Sequence, residues 1–284
     1  MQTLEICPYC KSKDSFNILY KNNHNKEEKI NFECTSHNFH NYKQWKPTLY
    51  KCKLCSLVFS EHIGVKFEDN YKVVVDFAYL NQFKFKKTSF TLFLEKIKNH
   101  LNKNCTVLEI GAYYGVLGKL IQPLVKEYTG LELSKHASDY SKNNSNLNII
   151  NQSIKEYSKN NKKYDIIIMT DVIEHLDKPF ELLSLIEKSL NKNGKLILST
   201  FNFDSLFSKI MGKNYPWIIP MHKYYFSNTT LKNALTESKL ELFDIQNDTR
   251  IISLEYLLQK FNILAPSFNF IFNFFLKFNF MKKI

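Results

Sequence analysis

The residues with the plainest chemistry flank a long spacer. Cys7-Pro-Tyr-Cys10 and Cys52-Lys-Leu-Cys55 form a CxxC…CxxC pair, 41 residues apart. Two-residue spacing lets both thiolates of a knuckle wrap one side of a tetrahedral ion. Two knuckles complete a closed four-cysteine site of the kind that binds zinc. A closed site keeps no position for a reacting water, so its expected role is structural: it holds a module too small to rely on its own core. Redox-active or free thiols are the alternative for these four residues. The spacer also contains Cys34, His37 and His40, which stand as spare ligands, a second metal site or loop residues.

A second set centres on a glycine turn. Val107-Leu-Glu-Ile-Gly-Ala-Tyr-Tyr-Gly115 follows an apolar run and leads into a helical segment. Gly111 lets the backbone turn sharply beneath a ligand, and Gly115 lets the helix begin close against it with its N–H groups directed outward. Glu132, in Gly130-Leu-Glu-Leu-Ser134, ends the next run; a carboxylate there accepts hydrogen bonds from ribose hydroxyls. Asp171-Val-Ile-Glu-His175 leaves a later run. The His175 ring suits base work near neutral pH, with a structural hydrogen bond as the alternative. Asp171, Glu174 and His175 also offer two carboxylates and an imidazole, a set that suits Mg2+ or another divalent ion. His222 is a second candidate base or substrate contact, in a stretch stiffened by Pro216, Trp217 and Pro220. Tyr113 and Tyr114 offer aromatic faces to a cation or to the core. Tyr224 and Tyr225 read as packing, and Asp177 with Pro179 as a helix start.

These residues need a scaffold, and the apolar pattern describes one. Short apolar runs at 105–110, 128–133, 147–150, 164–170 and 195–200 alternate with periodic segments. That is the signature of βαβ units and a mainly parallel sheet. Ligands bind at the C-terminal edge of such sheets, where Gly111, Glu132 and Asp171 fall. An amphipathic helix over 88–101 precedes the first run, Asn193-Gly194 marks a helix end, 229–238 is a helix and 240–245 a later strand. From Phe268 to Phe280 every even position is apolar, as in a strand, while Asn269, Asn273 and Lys277 recur every four residues, as in a helix. A packed terminal element and a membrane- or lipid-facing surface are both open there. The expected division is a zinc-ribbon-like module over 1–62, a helical linker over 63–104, a sheet domain over 105–250 with a lid at 201–228, and a hydrophobic tail over 251–284.

In combination and order, these motifs resemble class I S-adenosylmethionine-dependent methyltransferases. The turn at 107–115 looks like the family's Val-Leu-Asp-Ile-Gly-Cys-Gly-x-Gly. Residues 164–179, from Tyr-Asp-Ile-Ile-Ile-Met-Thr to Asp-Val-Ile-Glu-His-Leu-Asp-Lys-Pro, resemble its next motif, and Asn193-Gly-Lys-Leu-Ile-Leu-Ser-Thr200 is similar to the strand after it. Met221-His-Lys-Tyr-Tyr-Phe-Ser227 resembles the His-Leu-Tyr-Tyr-Phe-Ser of one subfamily. That subfamily often carries an N-terminal zinc-knuckle pair and includes sugar and small-metabolite methyltransferases. The resemblance implies an α/β, Rossmann-like fold with a seven-stranded-type sheet and a small zinc ribbon. It implies S-adenosylmethionine held by Glu109, Gly111, Ala112, Tyr113 and Gly115 at the turn, by Glu132 and Leu133 after the next strand, and by Thr170 and Asp171. Where relatives set an Asp against the adenine, this chain has Gln152-Ser153-Ile154, which makes Ser153 and Ile154 the candidates. The sequence departs from the family at Tyr113, usually glycine. Asp171, Glu174 and His175 also resemble the acid-x-x-Glu-His site of quinone-biosynthesis O-methyltransferases, which can hold a divalent ion.

Methyl transfer from a sulfonium is an in-line displacement with a good leaving group. The protein aligns donor and acceptor, excludes water and, for a hydroxyl or carbon acid, supplies a base; His175 and His222 are the candidates. The expected activity is methyl transfer to a small acceptor, a nucleotide-linked sugar or surface-glycan precursor, at oxygen or carbon. The alternatives are a quinone- or lipid-type acceptor, which the aromatic tail would suit, an RNA, and a non-catalytic scaffold with a degenerate cofactor fold. The formal net charge is +12, but Arg250 is the single arginine among 39 basic residues. Planar bidentate recognition of phosphate favours arginine, so the charge argues against a nucleic-acid partner. The expected setting is cytoplasmic: Met1 to Cys10 carries no apolar signal core, and no apolar run approaches the roughly 20 residues that span a bilayer. Peripheral contact through the tail is the remaining membrane route, and the oligomeric state is open.

Overall fold

Runs of β-branched and aromatic residues alternate with amphipathic helices, and in a computed structural model they close into two sheets. The structure describes residues 5–21, 46–63 and 68–253. Cys34, His37, His40 and the tail beyond residue 253 lie outside the described residues.

The N-terminal segments give β1 (Phe16–Tyr20), β2 (Leu49–Cys52) and β3 (Val58–Ser60). Helices α1 (Glu68–Lys72), α2 (Phe77–Asn81) and α3 (Phe83–Ile97) follow. The alternating region then gives β4 (Thr106–Ile110), α4 (Val116–Ile121), β5 (Glu127–Leu131), α5 (Lys135–Ser145), β6 (Ile149–Ile150), α6 (Ile154–Tyr157), β7 (Tyr164–Thr170), α7 (Pro179–Ser189) and β8 (Leu190–Ser199). The last described elements are α8 (Leu206–Met211), β9 (Tyr224–Tyr225) and α9 (Asn228–Glu237).

Strands β4 to β8 form a five-stranded parallel sheet in the order β6-β5-β4-β7-β8. The two central strands are apolar almost throughout because helices cover both faces. Period-two alternation sends Leu108, Ile110, Ile167 and Met169 to one face, against Leu182, Leu183 and Ile186 of α7. It sends Val107, Ile166 and Ile168 to the other, against Phe90, Phe93 and Ile97 of α3 and Leu117 and Ile121 of α4. The register pairs Ile110 with both Leu131 and Met169. Three strands therefore end side by side, and the residues just past those ends, Gly111, Glu132 and Asp171, share one edge with Thr170, the last residue of β7.

Strands β1, β2, β3 and β9 form a second, antiparallel sheet. Phe59 pairs across with Tyr224, so a strand from the lid stretch completes the N-terminal sheet. Cys7, Cys52, Leu57 and Phe59 belong to the same apolar cluster as Leu108 and Ile167 of the parallel sheet.

The parallel sheet has five strands among the described residues, in the expected Rossmann-like arrangement. Two expectations are corrected. Residues 240–245 form no strand: Leu240 and Leu242 lie against the core, but Phe243 and Ile245 are 63% and 56% exposed and no described strand pairs with them. Asn193-Gly194 does not end a helix, since α7 stops at Ser189. It sits inside β8, where Tyr164 faces Leu190 but Ile166 faces Lys195, so the extra residues of β8 bulge from the ladder.

Candidate active site at the sheet edge

The turn after β4 is shaped by three positive-φ residues, Gly111, Tyr113 and Gly115. A Cβ on Gly111 would lie 2.5 Å from Val172 Cγ2, so the backbone packs where only glycine fits. Gly115, left-handed at φ 73°, starts α4. The Gly111 and Ala112 N–H groups both donate to the Leu131 carbonyl, at 2.9 and 3.0 Å, which fastens the turn to β5.

Glu132 reaches under this turn. Its carboxylate accepts the Tyr113 N–H at 2.8 Å and the Ser134 N–H at 2.6 Å. The side chain is buried, and burial raises its pKa to about 7 despite the N–H groups of Ser134, Tyr113 and Leu133 that oppose the shift. Asn151 Nδ2 donates at 2.8 Å to the carbonyls of both Glu132 and Leu133 and fixes the backbone there. A buried anion in a cleft beside a glycine cradle, with lone pairs beyond its two N–H bonds, fits an adenosine ribose. Glu109 lines the same cleft, but its carboxylate carries the Tyr128 hydroxyl at 2.5 Å, and burial raises its pKa to about 8. Ser153 caps α6 in a capping box with Glu156, and Ile154 begins that helix, buried and lining the cleft.

Tyr113, where the sequence departs from the family, is held by neighbours the motif reading did not contain. Its hydroxyl donates to Asp76 Oδ2 at 2.9 Å, and its ring meets Tyr79 and Tyr114 edge-on at 4.7 and 4.6 Å. Asp76 also accepts the Tyr79 N–H, and its own N–H donates to the Tyr114 hydroxyl. These ties hold a non-glycine residue at a φ of 48°. Neither Asp76 nor Tyr71, described next, lies in a recognisable motif.

Past β7, the chain turns through Asp171, at φ 54°. Asp171 pairs with Arg250 at 3.0 Å. Donor atoms of Glu174, His175 and His222 lie within 4.8 Å of one another, a grouping that includes His222 and leaves out Asp171. Thr170 is buried at the end of β7. Glu174 is buried and accepts from Thr200 Oγ1 at 3.0 Å; burial, then the Asp171 charge, raises its pKa to about 8. His175 Nδ1 meets the Tyr71 hydroxyl at 2.9 Å, and His222 Nδ1 meets the Trp217 carbonyl at 2.7 Å. The two imidazoles lie edge-on with centroids 4.5 Å apart, and Phe201 stacks on His222. Asp177 is more than a helix start: it is the ion-pair partner of Lys223, whose side chain is fully buried. Tyr224 and Tyr225 are buried packing, as expected.

At the N-terminal end, Cys7, Cys10, Cys52 and Cys55 converge with every sulfur within 4.8 Å of the others. Cys7–Cys55 and Cys10–Cys52 are each 3.6 Å apart. Zinc with bonds of about 2.3 Å sets tetrahedral sulfurs about 3.8 Å apart, so the spacing fits one ion. Burial resists ionisation of Cys52, yet the backbone N–H groups of Cys55 and Leu54 bring its pKa to about 6.

The sequence profile of a methyltransferase domain matches residues 71–244. The mitochondrial ubiquinone biosynthesis O-methyltransferase of Saccharomyces cerevisiae is 32% identical over 146 residues, 47% of this chain and 47% of that one. Its counterpart in Schizosaccharomyces pombe is 25% identical over 58% of this chain and 65% of that one. The chain thus spans about half to two thirds of these relatives. A crystal structure titled as a SAM-dependent methyltransferase from Archaeoglobus fulgidus shares the fold, with a TM-score of 0.50 and 23% identity over 66% of this chain and 91% of that one. With the Rossmann-like parallel sheet and the glycine turn at its edge, the match over residues 71–244 identifies the chain as a member of the methyltransferase-domain family.

Proposed function

We propose that the protein methylates a hydroxyl of a small aromatic acceptor of the quinone-precursor type, with His222 as the general base. One observation carries this reading: Glu174, His175 and His222 converge in the cleft that the glycine turn also lines, with Phe201 stacked on His222. An acceptor hydroxyl needs a base, and a planar acceptor gains from aromatic walls. The names of the curated relatives support this acceptor and do not match a nucleotide-linked sugar.

Bound S-adenosylmethionine supplies an electrophilic methyl on a sulfonium whose sulfur leaves as a neutral thioether. Glu132 would hold its ribose, and the 111–115 turn would cradle it. His222 Nδ1 faces a carbonyl, which only accepts, so the neutral ring carries its proton on Nδ1 and its lone pair on Nε2. His222 Nε2 therefore takes the acceptor proton. His222 is buried, which keeps that proton transfer away from bulk water. The closed four-cysteine set supports one structural zinc. A second reading, favoured by the carboxylate and two imidazoles within 4.8 Å, is a divalent ion at Glu174, His175 and His222 that polarises the acceptor oxygen.

The test is methylation of 3,4-dihydroxybenzoate, other catechols and a nucleotide-sugar panel, followed by mass spectrometry. His222→Gln should lower kcat on the catechol by about 10²- to 10⁴-fold. Methylation of the sugars alone would overturn the acceptor reading. Metal analysis should find one equivalent of zinc; a second equivalent, lost with activity on chelation and regained on adding Mg2+ or Mn2+, would favour the ion over the base.

A further inference from the structure

The Glu132 carboxylate is oriented by two N–H groups, one on each oxygen. That of Tyr113 meets Oε2 at 2.8 Å, and that of Ser134 meets Oε1 at 2.6 Å. The two donors belong to different turns, Tyr113 to the one after β4 and Ser134 to the one after β5. Both are gripped from outside the parallel sheet, by residues two apart in a single segment. Ser134 Oγ donates to the Val74 carbonyl at 2.8 Å, and the Tyr113 hydroxyl donates to Asp76 Oδ2 at 2.9 Å. The Asp76 N–H adds a bond to the Tyr114 hydroxyl at 2.9 Å. Val74 and Asp76 are buried and line the cleft.

Tyr113 stands where the resembling family has glycine, and its φ is 48°. Glycine enters the left-handed region freely, whereas a tyrosine stays there only when its surroundings over-determine it. The turn is fastened on either side of this residue: the Gly111 and Ala112 N–H groups donate to the Leu131 carbonyl, and Ser141 Oγ donates to the Tyr113 carbonyl at 2.8 Å. A change of φ at 113 must therefore turn the adjacent peptide planes, including the one whose N–H Glu132 accepts. Asp76 also has a second task. Its Oδ1 accepts the Tyr79 N–H at 2.9 Å, the bond of an N-cap to the first turn of α2.

We propose that Val74–Asp76 is a strap of the cofactor site and that Asp76 is a positioning residue for cofactor binding: through the Tyr113 hydroxyl it holds the turn so that the Tyr113 N–H orients Glu132 toward the ribose. The strap gives a tyrosine what a glycine has by itself, and so couples a segment outside the parallel sheet to the affinity for S-adenosylmethionine. The inference rests on the reading of Glu132 as the ribose residue. It makes the effect of Asp76 conditional on residue 113. In Tyr113→Gly the left-handed turn needs no tether, and Asp76 should no longer matter to the cofactor, although it still caps α2.

Asp76→Ser separates the two tasks, because serine keeps an N-cap acceptor for α2 and has no second oxygen for Tyr113. Calorimetry on the full chain should find the S-adenosylmethionine Kd raised about tenfold in Asp76→Ser. Tyr113→Phe should raise it by a similar factor, and the double variant no further, since both changes remove one contact. In a Tyr113→Gly background, Asp76→Ser should change Kd by less than about twofold. Amide hydrogen exchange without cofactor should show the Tyr113 N–H losing protection in Asp76→Ser, and the residue 113 N–H keeping it when Tyr113→Gly is added. An unchanged Kd or an unchanged protection of Tyr113 in Asp76→Ser overturns the proposal. So do factors that multiply in the Asp76→Ser, Tyr113→Phe pair, or a loss of affinity from Asp76→Ser that persists in full beside Tyr113→Gly. If Glu132→Ala binds the cofactor as wild type does, the ribose reading fails by itself, and the exchange data still decide whether Asp76 holds the Tyr113 N–H.

Discussion

Glu132 is the proposed ribose-binding residue, and its titration gives a prediction with a definite sign. Burial holds its pKa near 7 in the unliganded protein, above the ordinary range of about 4.3. Ribose hydroxyls donate to the ionised carboxylate, so binding favours the charged form. S-adenosylmethionine affinity should therefore rise as pH increases from 6 to 8, with proton release on binding below pH 7. Calorimetry in two buffers of different ionisation enthalpy measures both, and Glu132→Gln should flatten the dependence. The stability of the unliganded chain runs the other way. A carboxyl raised in the folded state contributes stability that is complete below its unfolded pKa and is lost as pH rises through the folded one. Glu109, raised to about 8, acts in the same direction, so Tm without cofactor should fall between pH 5.5 and 8. At this scale the sequence singled out Gly111, Glu132, His175, His222 and the four cysteines, because each sits in a motif with fixed spacing, and the fold brings Gly111 to Glu132, His175 to His222 and the cysteines to one another. It did not reveal Asp76 or Tyr71, whose partners lie 37 and 104 residues away and leave no local pattern. It did not reveal the Arg250 partner of Asp171 for the same reason: Arg250 comes from 79 residues further along.

The element that most constrains the site is the turn between β4 and α4, and Gly111 is where it tolerates least. Two costs are separable there. A side chain would hold φ at +78°, and its Cβ would meet Val172 Cγ2 at 2.5 Å. Gly111→Ala should destabilise the fold by about 1–3 kcal/mol and weaken cofactor binding. Adding Val172→Ala should recover the steric part and leave the conformational part, which denaturant unfolding of both variants would measure. Full recovery in the double variant would mean that φ contributes nothing. The strands around this turn were legible because each is a short apolar run bounded by helix signals, and 164–170 matches its strand end to end. Residues 240–245 misled because alternation records burial and not pairing: Leu240 and Leu242 do face the core, but a strand also needs a neighbour's backbone. Asn193-Gly194 misled in a similar way, since a glycine after a helix marks a bulge as readily as a cap.

At the scale of the whole molecule, the two sheets are not independent bodies, although composition alone divides the chain near residue 62. Strand β3 takes its outer partner, β9, from the stretch that carries His222. The Ser60 N–H donates to the Lys223 carbonyl, and the Lys223 N–H donates to the Glu174 carbonyl, at 2.9 and 2.8 Å. The buried Lys223 ammonium pairs with Asp177, so removing one partner would strand a charge in the interior. A continuous path thus runs from the cysteine knuckles through β2, β3 and β9 to Glu174 and His222. If zinc closes the knuckles, its loss should act at the far end of this path as well as locally. Cys7→Ser should lose the ion, lower Tm and reduce kcat, with S-adenosylmethionine affinity less affected because Gly111 and Glu132 hang from the other sheet. Calorimetric unfolding should show one transition in the zinc-bound chain, as the shared apolar cluster of Cys7, Cys52, Phe59, Leu108 and Ile167 requires. Two resolved transitions, or a metal-free variant that turns over at the wild-type rate, would mean that the knuckles stabilise only themselves and that His222 is held by the lid alone.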